Sequence, residues 1–263
     1  MVGANLKSLY EKLPSAVKLV AVSKFHPVSR LREAYDAGQR IFGENRPQEL
    51  AQKVPQMPSD VEWHFIGHLQ TNKLKLVLPY VSLVQSVDSF HLLEAIDKWG
   101  RDNDKIVDIL LELHLGAEET KHGFDEDEIL SIIEAEEGIC PETASATLRP
   151  LPPQAAGPSL LCGRGWPQVS GQTPSPAGAK PILENVRIKG LMGMATNTED
   201  AAVIEADFAR IEALFQRIRA EYPALADNFT ELSIGMSGDW PIAVRHGATM
   251  VRIGTDIFGA REY

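Results

Sequence analysis

Eight short apolar runs alternate with helix-forming segments from one end of the chain to the other. Each run is rich in Val, Ile and Leu, as parallel strands are when both of their faces are covered. The runs are residues 17–23, 40–45, 61–67, 80–88, 105–115, 186–195, 231–235 and 249–254. Eight strand–helix units are the number at which such a sheet closes on itself. The sequence therefore predicts an α/β fold, a single (β/α)8 barrel of the TIM type.

The segments between the runs carry signals for helix ends. Pro27 starts the helix after the first run and Gly38 ends it, while Asp88 or Ser89 caps the helix after the fourth run. A further helix precedes the first run and ends near Pro14. A doubly wound open sheet is the alternative architecture. Because no glycine-rich dinucleotide fingerprint follows the first run, the barrel is favoured.

One long segment, at about residues 138–181, departs from this alternation. It is rich in Pro, Gly, Ser and Ala, has Trp166 as its one aromatic residue, and shows the period of neither a helix nor a strand. Such a composition buries too little apolar surface to offset the entropy of ordering. We therefore expect one domain over residues 1–263 with a disordered insertion at about 138–181 that has no role of its own. A Pro-rich loop that binds a partner is the alternative.

Composition excludes several classes of function. The 263 residues carry a formal net charge of -10, which disfavours nucleic acids and anionic membranes as partners. The two cysteines, Cys140 and Cys162, form neither a disulfide framework nor a zinc motif. The sequence has no signal peptide, and no apolar run approaches the roughly 18 residues of a membrane span. The expected location is cytoplasmic.

Two glycine-containing loops predict a phosphate site. In a barrel of this kind the loops after the strands meet at one face, and those after the seventh and eighth strands customarily bind phosphate. The first loop, GMSGDWP, offers Ser237 as a helix cap and Gly238 in the first helical turn. The second, RIGTDIFG, offers Arg252, the backbone of Gly254 and the hydroxyl of Thr255. Either loop alone is more typical of a cap or a turn, but the pair indicates phosphate.

Lys24 ends the first run, in VAVSKFHP, and we place it across the barrel mouth from the phosphate loops. A lysine at a strand end is by itself most often a solvated cation. A lysine that is desolvated and lies near another cation loses proton affinity, however, and its neutral amine can attack an aldehyde. An aldehyde and a phosphate in one small molecule describe pyridoxal 5'-phosphate, which is the predicted cofactor.

Two histidines in the motif HFIGH, His64 and His68, raise the question of a metal site. Positions four apart on a strand do not share the geometry of helical i, i+4 ligands, and the sequence shows no third matching ligand nearby. We predict that His64 packs inside the barrel and that His68 lines its mouth. The loop at 114–123, HLGAEETKHG, is interpreted as a rim element, and no metal is predicted.

Seven motifs, in register with these units, resemble the YggS/PROSC family, the pyridoxal phosphate homeostasis proteins. They are VAVSKFHP, FGEN, WHFIGHLQTNK, SVDS, KGLMGMAT, LSIGMSGD and VRIGTDIFG. The likeness covers nearly the whole chain apart from the segment at about 138–181. It implies a barrel resembling the N-terminal domain of alanine racemase, with pyridoxal 5'-phosphate held by Lys24 as an internal aldimine. The implied phosphate ligands are Ser237, Gly238, Arg252, Gly254 and Thr255, and the implied pocket residues are Asn45 and His68.

The resemblance implies a binding protein and not an enzyme. Family members carry no established catalytic activity. They bind pyridoxal phosphate, are thought to buffer and deliver it, and thereby affect amino-acid and keto-acid balance. The implied partners are therefore the cofactor and pyridoxal phosphate-dependent apoenzymes, and a monomer is expected.

Two enzyme classes are the alternatives. An alanine racemase-like enzyme needs acid–base groups on both faces of the cofactor, and related racemases take the second from another domain and a partner subunit. The chain ends nine residues after Gly254, so no such domain is expected. A phosphate-sugar enzyme would instead use paired carboxylates at the mouth, with Glu44, Asp88 and Asp239 as candidates. Each of these is also typical of a cap or turn, so the carrier is preferred.

Overall fold

A computed structural model of the chain describes residues 1–116, 122–137 and 183–259. The insertion predicted at about 138–181, together with Cys140 and Cys162, lies outside the described residues. The extent of the domain over 1–263 and the character of that insertion therefore stay predictions.

Eight parallel strands form a closed barrel within the described residues, in the order of the chain. They are β1 (Lys18–Val22), β2 (Ile41–Glu44), β3 (Glu62–Phe65), β4 (Leu83–Val87), β5 (Val107–Leu113), β6 (Val186–Gly193), β7 (Glu231–Ser233) and β8 (Met250–Ile253). β8 closes the barrel onto β1, with Lys18 opposite Met250 and Ala21 opposite Ile253. The predicted (β/α)8 barrel is therefore confirmed, and the open sheet is excluded.

Helices connect the strands and pack their apolar faces against the outside of the barrel. Within the described residues they are Val2–Lys12, Val28–Asp36, Pro47–Lys53, Leu74–Val77, Phe90–Asp102, Glu126–Glu136, Ala201–Glu221, Pro223–Ala226, Trp240–Arg245 and Thr255–Phe258. Two 3-10 turns, Val54–Gln56 and Thr71–Lys73, complete the connections. None of these helices combines the length and the apolar character that crossing a membrane requires.

Most helix ends follow the signals in the sequence. The helix after β1 begins after Pro27 and ends before Gly38, whose φ of +100° suits a residue without a Cβ. Ser89 rather than Asp88 caps the helix Phe90–Asp102, because its Oγ accepts a hydrogen bond from the N–H of Leu92 at 3.4 Å. The Asp88 side chain turns instead toward the barrel mouth.

The apolar core has two parts. The larger part lies between the sheet and the helices and includes the fully buried rings of Phe42, Phe65 and Phe208. The smaller part fills the barrel itself. Its members are Val20, Leu83, Leu110, Met192 and Met250. These apolar side chains share the interior of the barrel with buried polar side chains, among them Gln85, Ser233 and Arg252.

Candidate functional site

Lys24 lies just beyond the C-terminal end of β1, partly buried at the mouth of the barrel. Its strand pairs with β8 on one side and β2 on the other. The loop after β8 is therefore a direct neighbour, and a Cβ on Gly254 would lie 3.3 Å from the side chain of Val22. The prediction that Lys24 sits across the mouth from the phosphate loops is wrong, because closure of the barrel brings the first and eighth strands together.

Two further contacts join the loop after β1 to the loop after β8. The rings of His26 and Phe258 stack with their centroids 4.8 Å apart. The guanidinium of Arg30 donates a hydrogen bond to the carbonyl oxygen of Phe258 at 2.7 Å. The short helix Thr255–Phe258, which begins inside the predicted phosphate loop, is thereby fixed relative to Lys24.

The residue before Lys24 is held by a buried ion pair. Lys53 Nζ lies 2.6 Å from Glu44 Oε1 and donates a hydrogen bond to the carbonyl oxygen of Ser23 at 2.9 Å. The hydroxyl of Ser23 donates to the same carboxylate oxygen at 2.6 Å. All three side chains are buried. Water therefore does not compete for these contacts, and the end of β1 is fixed from the helix layer.

The residue after Lys24 has a strained backbone. Phe25 has a φ of +68°, in the left-handed region that residues with a Cβ rarely adopt. Its N–H is shared between the two carboxylate oxygens of Glu49, at 3.1 and 3.2 Å. The guanidinium of Arg46 lies 4.3 Å from the centroid of its ring. Strain of this kind persists only where the surroundings impose it, and it concentrates at functional sites.

Glu44 is the buried acid of this network. Burial, with a smaller contribution from the neighbouring carboxyl of Glu49, raises the pKa of its carboxyl to about 7, although Lys53 and Ser23 both stabilise the charged form. Its Oε2 has no hydrogen-bond partner among the residues that the structure describes. Glu44 therefore supports the backbone at the end of β1 rather than forming part of a carboxylate pair at the mouth.

Asn45 follows β2, next to the strand of Lys24. The backbone of Gly67 approaches it so closely that a Cβ on Gly67 would lie 2.4 Å from the carbonyl oxygen of Asn45. Asn45 Oδ1 is buried and accepts no hydrogen bond within the described part of the chain. A buried acceptor without a donor is costly. This atom is therefore suited to a donor on a bound molecule.

The loops after β7 and β8 present unused backbone donors. Among the described residues, the N–H groups of Ser237, Gly238 and Thr255 donate to no acceptor. The helix Trp240–Arg245 starts later than expected, and Asp239 occupies its N-cap position. The predicted cap by Ser237, and the place of Gly238 in the first helical turn, are therefore wrong. The donors themselves are present, and such groups favour an anion.

Arg252 lies inside the barrel rather than on the surface of the phosphate loops. One of its terminal nitrogens donates to the carbonyl oxygen and to the hydroxyl of Ser233, both at 2.7 Å, and the other donates to the carbonyl oxygen of Gly193 at 2.9 Å. Burial lowers the pKa of the guanidinium to about 10, although Glu112 and Asp239 stabilise its charge. Arg252 is therefore a fixed cation at neutral pH.

A row of hydrogen bonds across the barrel orients Arg252. The hydroxyl of Ser233 donates to Gln85 Oε1 at 2.7 Å, and Gln85 Nε2 donates to His64 Nδ1 at 2.8 Å. Burial lowers the pKa of His64 to about 3, so its ring is neutral and can accept this bond. The prediction that His64 packs inside the barrel is thereby confirmed.

His68 lines the mouth as predicted, at a cavity of about 220 Å³ on the side of β3, β4 and β5. Its Nδ1 lies 2.7 Å from Oδ2 of Asp88. The ring of His122 stacks on the ring of His68 with the centroids 4.2 Å apart. The prediction that no matching ligand lies near His68 is therefore wrong.

The interpretation of the loop at 114–123 as a rim element fits its described residues, since His114 and His122 do lie at the mouth, where they line the cavity. Phe124 pairs with the end of β5, because its N–H donates to the carbonyl oxygen of Glu112 at 2.8 Å. This pairing places His122 in the wall of the cavity, beside His114 and Glu112. A sequence separation of 54 residues between the two stacked histidines hid their proximity.

Glu112 is the buried acid of this cavity. Burial raises the pKa of its carboxyl to about 7, with a further contribution from the charge of Asp88, whereas Arg252 lowers it. Asp239, the third carboxylate considered for a phosphate-sugar enzyme, accepts a hydrogen bond from the N–H of Met236 at 2.5 Å. The contacts of Glu44, Asp88 and Asp239 therefore lie in three separate places, and the structure does not support their use as a catalytic pair.

The predicted site residues lie in two separate sets. The residues of the first set follow β1, β2, β7 and β8, except for Arg252, which is buried inside the barrel. The members of this set are Lys24, Asn45, Ser237, Gly238, Gly254, Thr255 and Arg252. The other set contains His68 alone, beside residues that the sequence analysis did not select for a site.

Several supporting residues were missed. The sequence did contain a signal for the buried ion pairs beside Lys24. Glu49 and Lys53 lie four residues apart, a spacing that favours an ion pair, on a helix that follows Glu44 closely. No local signal marks Gln85 or Ser233, since their partners are up to 148 residues away in the chain.

Known proteins resemble this chain over almost its whole length. Residues 2–144 match the family described as alanine racemase, N-terminal domain. The pyridoxal phosphate homeostasis protein of Aquifex aeolicus is 32% identical, over 95% of this chain and 89% of that protein. The human protein of the same name is 30% identical, over 100% of this chain and 87% of its own length.

Solved structures show the same arrangement of the chain. PipY of Synechococcus elongatus without pyridoxal phosphate has a TM-score of 0.76 and 32% identity, covering 98% of this chain and 100% of PipY. PipY with pyridoxal phosphate bound has a TM-score of 0.72 at the same identity and coverage. Alanine racemase from Bartonella henselae, at 16% identity and a TM-score of 0.63, shares the fold over 60% of its own length.

Proposed function

The chain belongs to the family of pyridoxal phosphate homeostasis proteins, and we propose from this that it binds pyridoxal 5'-phosphate at Lys24 and acts as a carrier of that cofactor. One observation carries the proposal. PipY, a relative at 32% identity that matches 98% of this chain, has pyridoxal phosphate bound in its solved structure. The position of Lys24 at the mouth of the same barrel supports an equivalent use here.

The groups around Lys24 fit this cofactor. Pyridoxal phosphate supplies an aldehyde, to which a neutral amine can bond, and a phosphate that carries negative charge. Lys24 supplies the amine. The unused N–H groups of Ser237, Gly238 and Thr255, with the close backbone of Gly254, offer donors for a phosphate on the neighbouring loops.

Two further groups support a polar, anionic ligand. Asn45 Oδ1 is a buried acceptor that a ligand donor would satisfy. Arg252 keeps its positive charge at neutral pH and is fixed by Ser233 and Gly193, so it attracts an anion without having to reorganise. His68, the remaining residue implied by the resemblance, is proposed as a pocket residue at the edge of the mouth, on the side of β3, β4 and β5.

Hydrogen bonds fix the backbone on both sides of Lys24. The carbonyl oxygen of Ser23 accepts one from Lys53 Nζ, and the N–H of Phe25 donates one to the carboxylate of Glu49. Because these contacts fix the backbone on both sides of Lys24, its main chain has little conformational freedom to lose on binding. The chain thus presents one amine in one place, which suits a protein that loads and releases a reactive aldehyde.

We propose that no catalytic turnover accompanies binding, in keeping with the name that the relatives share. The proposed partners beyond the cofactor are pyridoxal phosphate-dependent apoenzymes, and the proposed state is a monomer. Racemase-like chemistry on amino acids is the alternative, because residues 2–144 match the alanine racemase N-terminal domain.

An absorbance spectrum before and after borohydride treatment tests the binding site. The wild-type chain is expected to show the visible band of a lysine-bound cofactor, and borohydride is expected to fix the cofactor to Lys24. Lys24→Ala removes both signals, and Lys24→Arg does so too, since a guanidinium does not form the bond. Lys189→Ala, which changes a lysine at the opposite end of the barrel, keeps both. An adduct mapped by mass spectrometry to another lysine contradicts the assignment.

A polarimetric assay with L-alanine tests the carrier against the enzyme. Proton transfer at both faces of the amino acid needs two positioned groups, each typically contributing about 10² to 10⁴ in rate. The cofactor-loaded chain is expected to leave the optical rotation unchanged. Racemisation at ordinary turnover, about 1 to 10³ s⁻¹, that disappears in Lys24→Ala would establish the enzyme instead.

A further inference from the structure

Three potential ligands converge at the mouth of the barrel, on the side away from Lys24. His68 follows β3, Asp88 follows β4, and His122 precedes the helix Glu126–Glu136. Each offers one nitrogen or oxygen atom, and these three atoms all lie within 4.8 Å of one another. Asp88 Oδ2 is the shared centre, 2.7 Å from His68 Nδ1 and 3.9 Å from His122 Nδ1.

The central carboxylate is oriented for both imidazoles. Asp88 is only 4% exposed in its side chain, and its other oxygen, Oδ1, accepts a hydrogen bond from the hydroxyl of Ser89 at 3.2 Å. This bond leaves Oδ2 to face the two rings. The rings themselves stack with a 20° angle between their planes. A buried acid thus fixes one ligand atom, while the other two lie on exposed side chains.

The imidazoles are accessible from solvent. The side chains of His68 and His122 are 49% and 63% exposed. They line the cavity of about 220 Å³, whose wall also contains Glu112 and His114. An ion can therefore enter directly, and it would meet a second carboxylate and a third imidazole in the same cavity.

We propose that His68, Asp88 and His122 form a binding site for a divalent transition-metal ion of the zinc class. Imidazole nitrogen and carboxylate oxygen are ligands of zinc at about 2.0–2.2 Å, and three protein ligands leave a coordination position for water or a small ligand. The ion replaces the direct contact between His68 Nδ1 and Asp88 Oδ2, which are 2.7 Å apart. Calcium and magnesium prefer sets of oxygen ligands, so two imidazoles select against them.

The chain offers a matched comparison at another histidine. His246 Nδ1 lies 2.8 Å from Glu212 Oε2, nearly the same separation as in the pair of His68 and Asp88. That pair belongs to no group of three potential ligands among the described residues. A difference in metal binding between the two places therefore measures what the second imidazole adds.

Zinc itself is the probe. The full chain is freed of any aldehyde cofactor with hydroxylamine, stripped with a chelator, desalted, and titrated with Zn²⁺ against a chromogenic chelator. The wild type is expected to bind one equivalent. His122→Gln, His68→Gln and Asp88→Asn are each expected to weaken binding by about 100-fold or more, because loss of even an outer-shell partner costs about 10- to 100-fold. His246→Gln is expected to bind as the wild type does.

The visible spectrum with Co²⁺ provides a second readout, since its bands report the number and type of ligands and are expected to change in His122→Gln. Circular dichroism checks that each variant is folded, and the exposed His122 is the position at which folding is least at risk. A wild-type chain that takes no zinc from the chelator overturns the proposal. So does His122→Gln with the affinity of the wild type, because the site then lacks its third ligand.

Discussion

The two sides of the barrel mouth are built in different ways. On the side of Lys24, buried charges from the helix layer hold the backbone, and the side chains of Glu44 and Lys53 are 0% and 7% exposed. On the other side, the side chains of His68 and His122 are 49% and 63% exposed and contact each other across loop ends. The backbone on one side is thus fixed by buried contacts, whereas the side chains on the other side are open to solvent.

This difference separates two ways of binding within one fold. A covalent bond to an aldehyde needs an amine in one position. The hydrogen bonds of Ser23 with Lys53 and of Phe25 with Glu49 fix the backbone that carries this amine. Ligand exchange at exposed imidazoles needs access more than rigidity. If the comparison is correct, changes in the helix layer reduce stability on the lysine side, and changes of charge alter pH dependence on the histidine side.

The largest expected effect is the loss of the buried cation on the lysine side. Lys53→Met leaves Glu44 as an uncompensated buried acid, which typically costs about 3–5 kcal/mol in the free energy of unfolding. The loss is expected to be larger at pH 8 than at pH 5, because the unpaired carboxyl takes up a proton at the lower pH. Urea denaturation at the two pH values measures both quantities.

Two variants control this measurement. Arg217→Met removes an ion pair with Glu221 on the outer helix Ala201–Glu221, where the two side chains are 39% and 50% exposed, and is expected to cost less than about 1 kcal/mol. The double variant Glu44→Gln with Lys53→Met removes both charges and should recover part of the loss. Equal losses for Lys53→Met and Arg217→Met would show that the lysine side is not specially fixed.

The second effect concerns the pH dependence contributed by the histidine side. Burial places the pKa of Glu112 at about 7 in the folded chain against 4.5 for the ordinary group. A carboxyl whose pKa is raised in this way binds its proton more tightly in the folded state than in the unfolded state. Its stabilising contribution to the free energy of unfolding is therefore complete below pH 4.5 and is lost as the pH rises through 7. Since each pH unit corresponds to about 1.4 kcal/mol, the full loss is roughly 3 kcal/mol.

Glu112→Gln is the variant that tests this loss. It is expected to stabilise the chain at pH 8 and to have little effect at pH 4.5, so that its free energy of unfolding changes less with pH than that of the wild type. For Glu62→Gln, at an exposed position on β3, the free energy of unfolding should change with pH as it does in the wild type. If the free energy of unfolding of Glu112→Gln changes with pH just as that of the wild type does, Glu112 is solvated in the folded chain.

The third effect separates two glycines at the barrel mouth. A Cβ on Gly67 would meet the backbone of Asn45 at 2.4 Å, whereas a Cβ on Gly238 would have no atom within 4 Å. Gly67→Ala is therefore expected to cost about 1–3 kcal/mol, as overpacking does, and to weaken retention of pyridoxal phosphate through Asn45. Gly238→Ala should stay within about 0.5 kcal/mol. Thermal unfolding and the visible band report the two effects, and equal results for both glycines would contradict the close approach.

Regular alternation made the barrel predictable, whereas contacts between distant residues escaped prediction. The apolar runs and the signals at Pro27 and Gly38 placed strands and helix ends, because these depend on residues close together in the chain. The motif around Lys24 likewise placed it at a strand end. Its position relative to the phosphate loops was wrong because closure of the barrel is a property of all eight strands.

The histidine side escaped prediction for a related reason. His122 contacts His68 because the nearby Phe124 pairs with the end of β5, and no residue pattern near either histidine specifies that pairing. The buried row from His64 through Gln85 and Ser233 is equally non-local. A polar residue in an apolar run is a weak signal, since its partner lies on another strand and has to be found by folding the chain.

The smallest expected effect concerns the segment that follows the helix Glu126–Glu136 in the sequence. The composition of residues 138–181 predicts an insertion without a packed core, so replacing residues 141–180 with a Gly-Ser linker of about ten residues should change little. Each halving of a loop relieves about 0.6 kcal/mol of closure entropy, so a fourfold shortening stabilises the chain by about 1 kcal/mol. The visible band of the bound cofactor should be unchanged, because the replaced residues include neither Lys24 nor the phosphate loops. If the shortened chain instead loses solubility or several kcal/mol of unfolding free energy, the segment packs on the barrel, and the histidine side is covered by more of the chain than the comparison assumes.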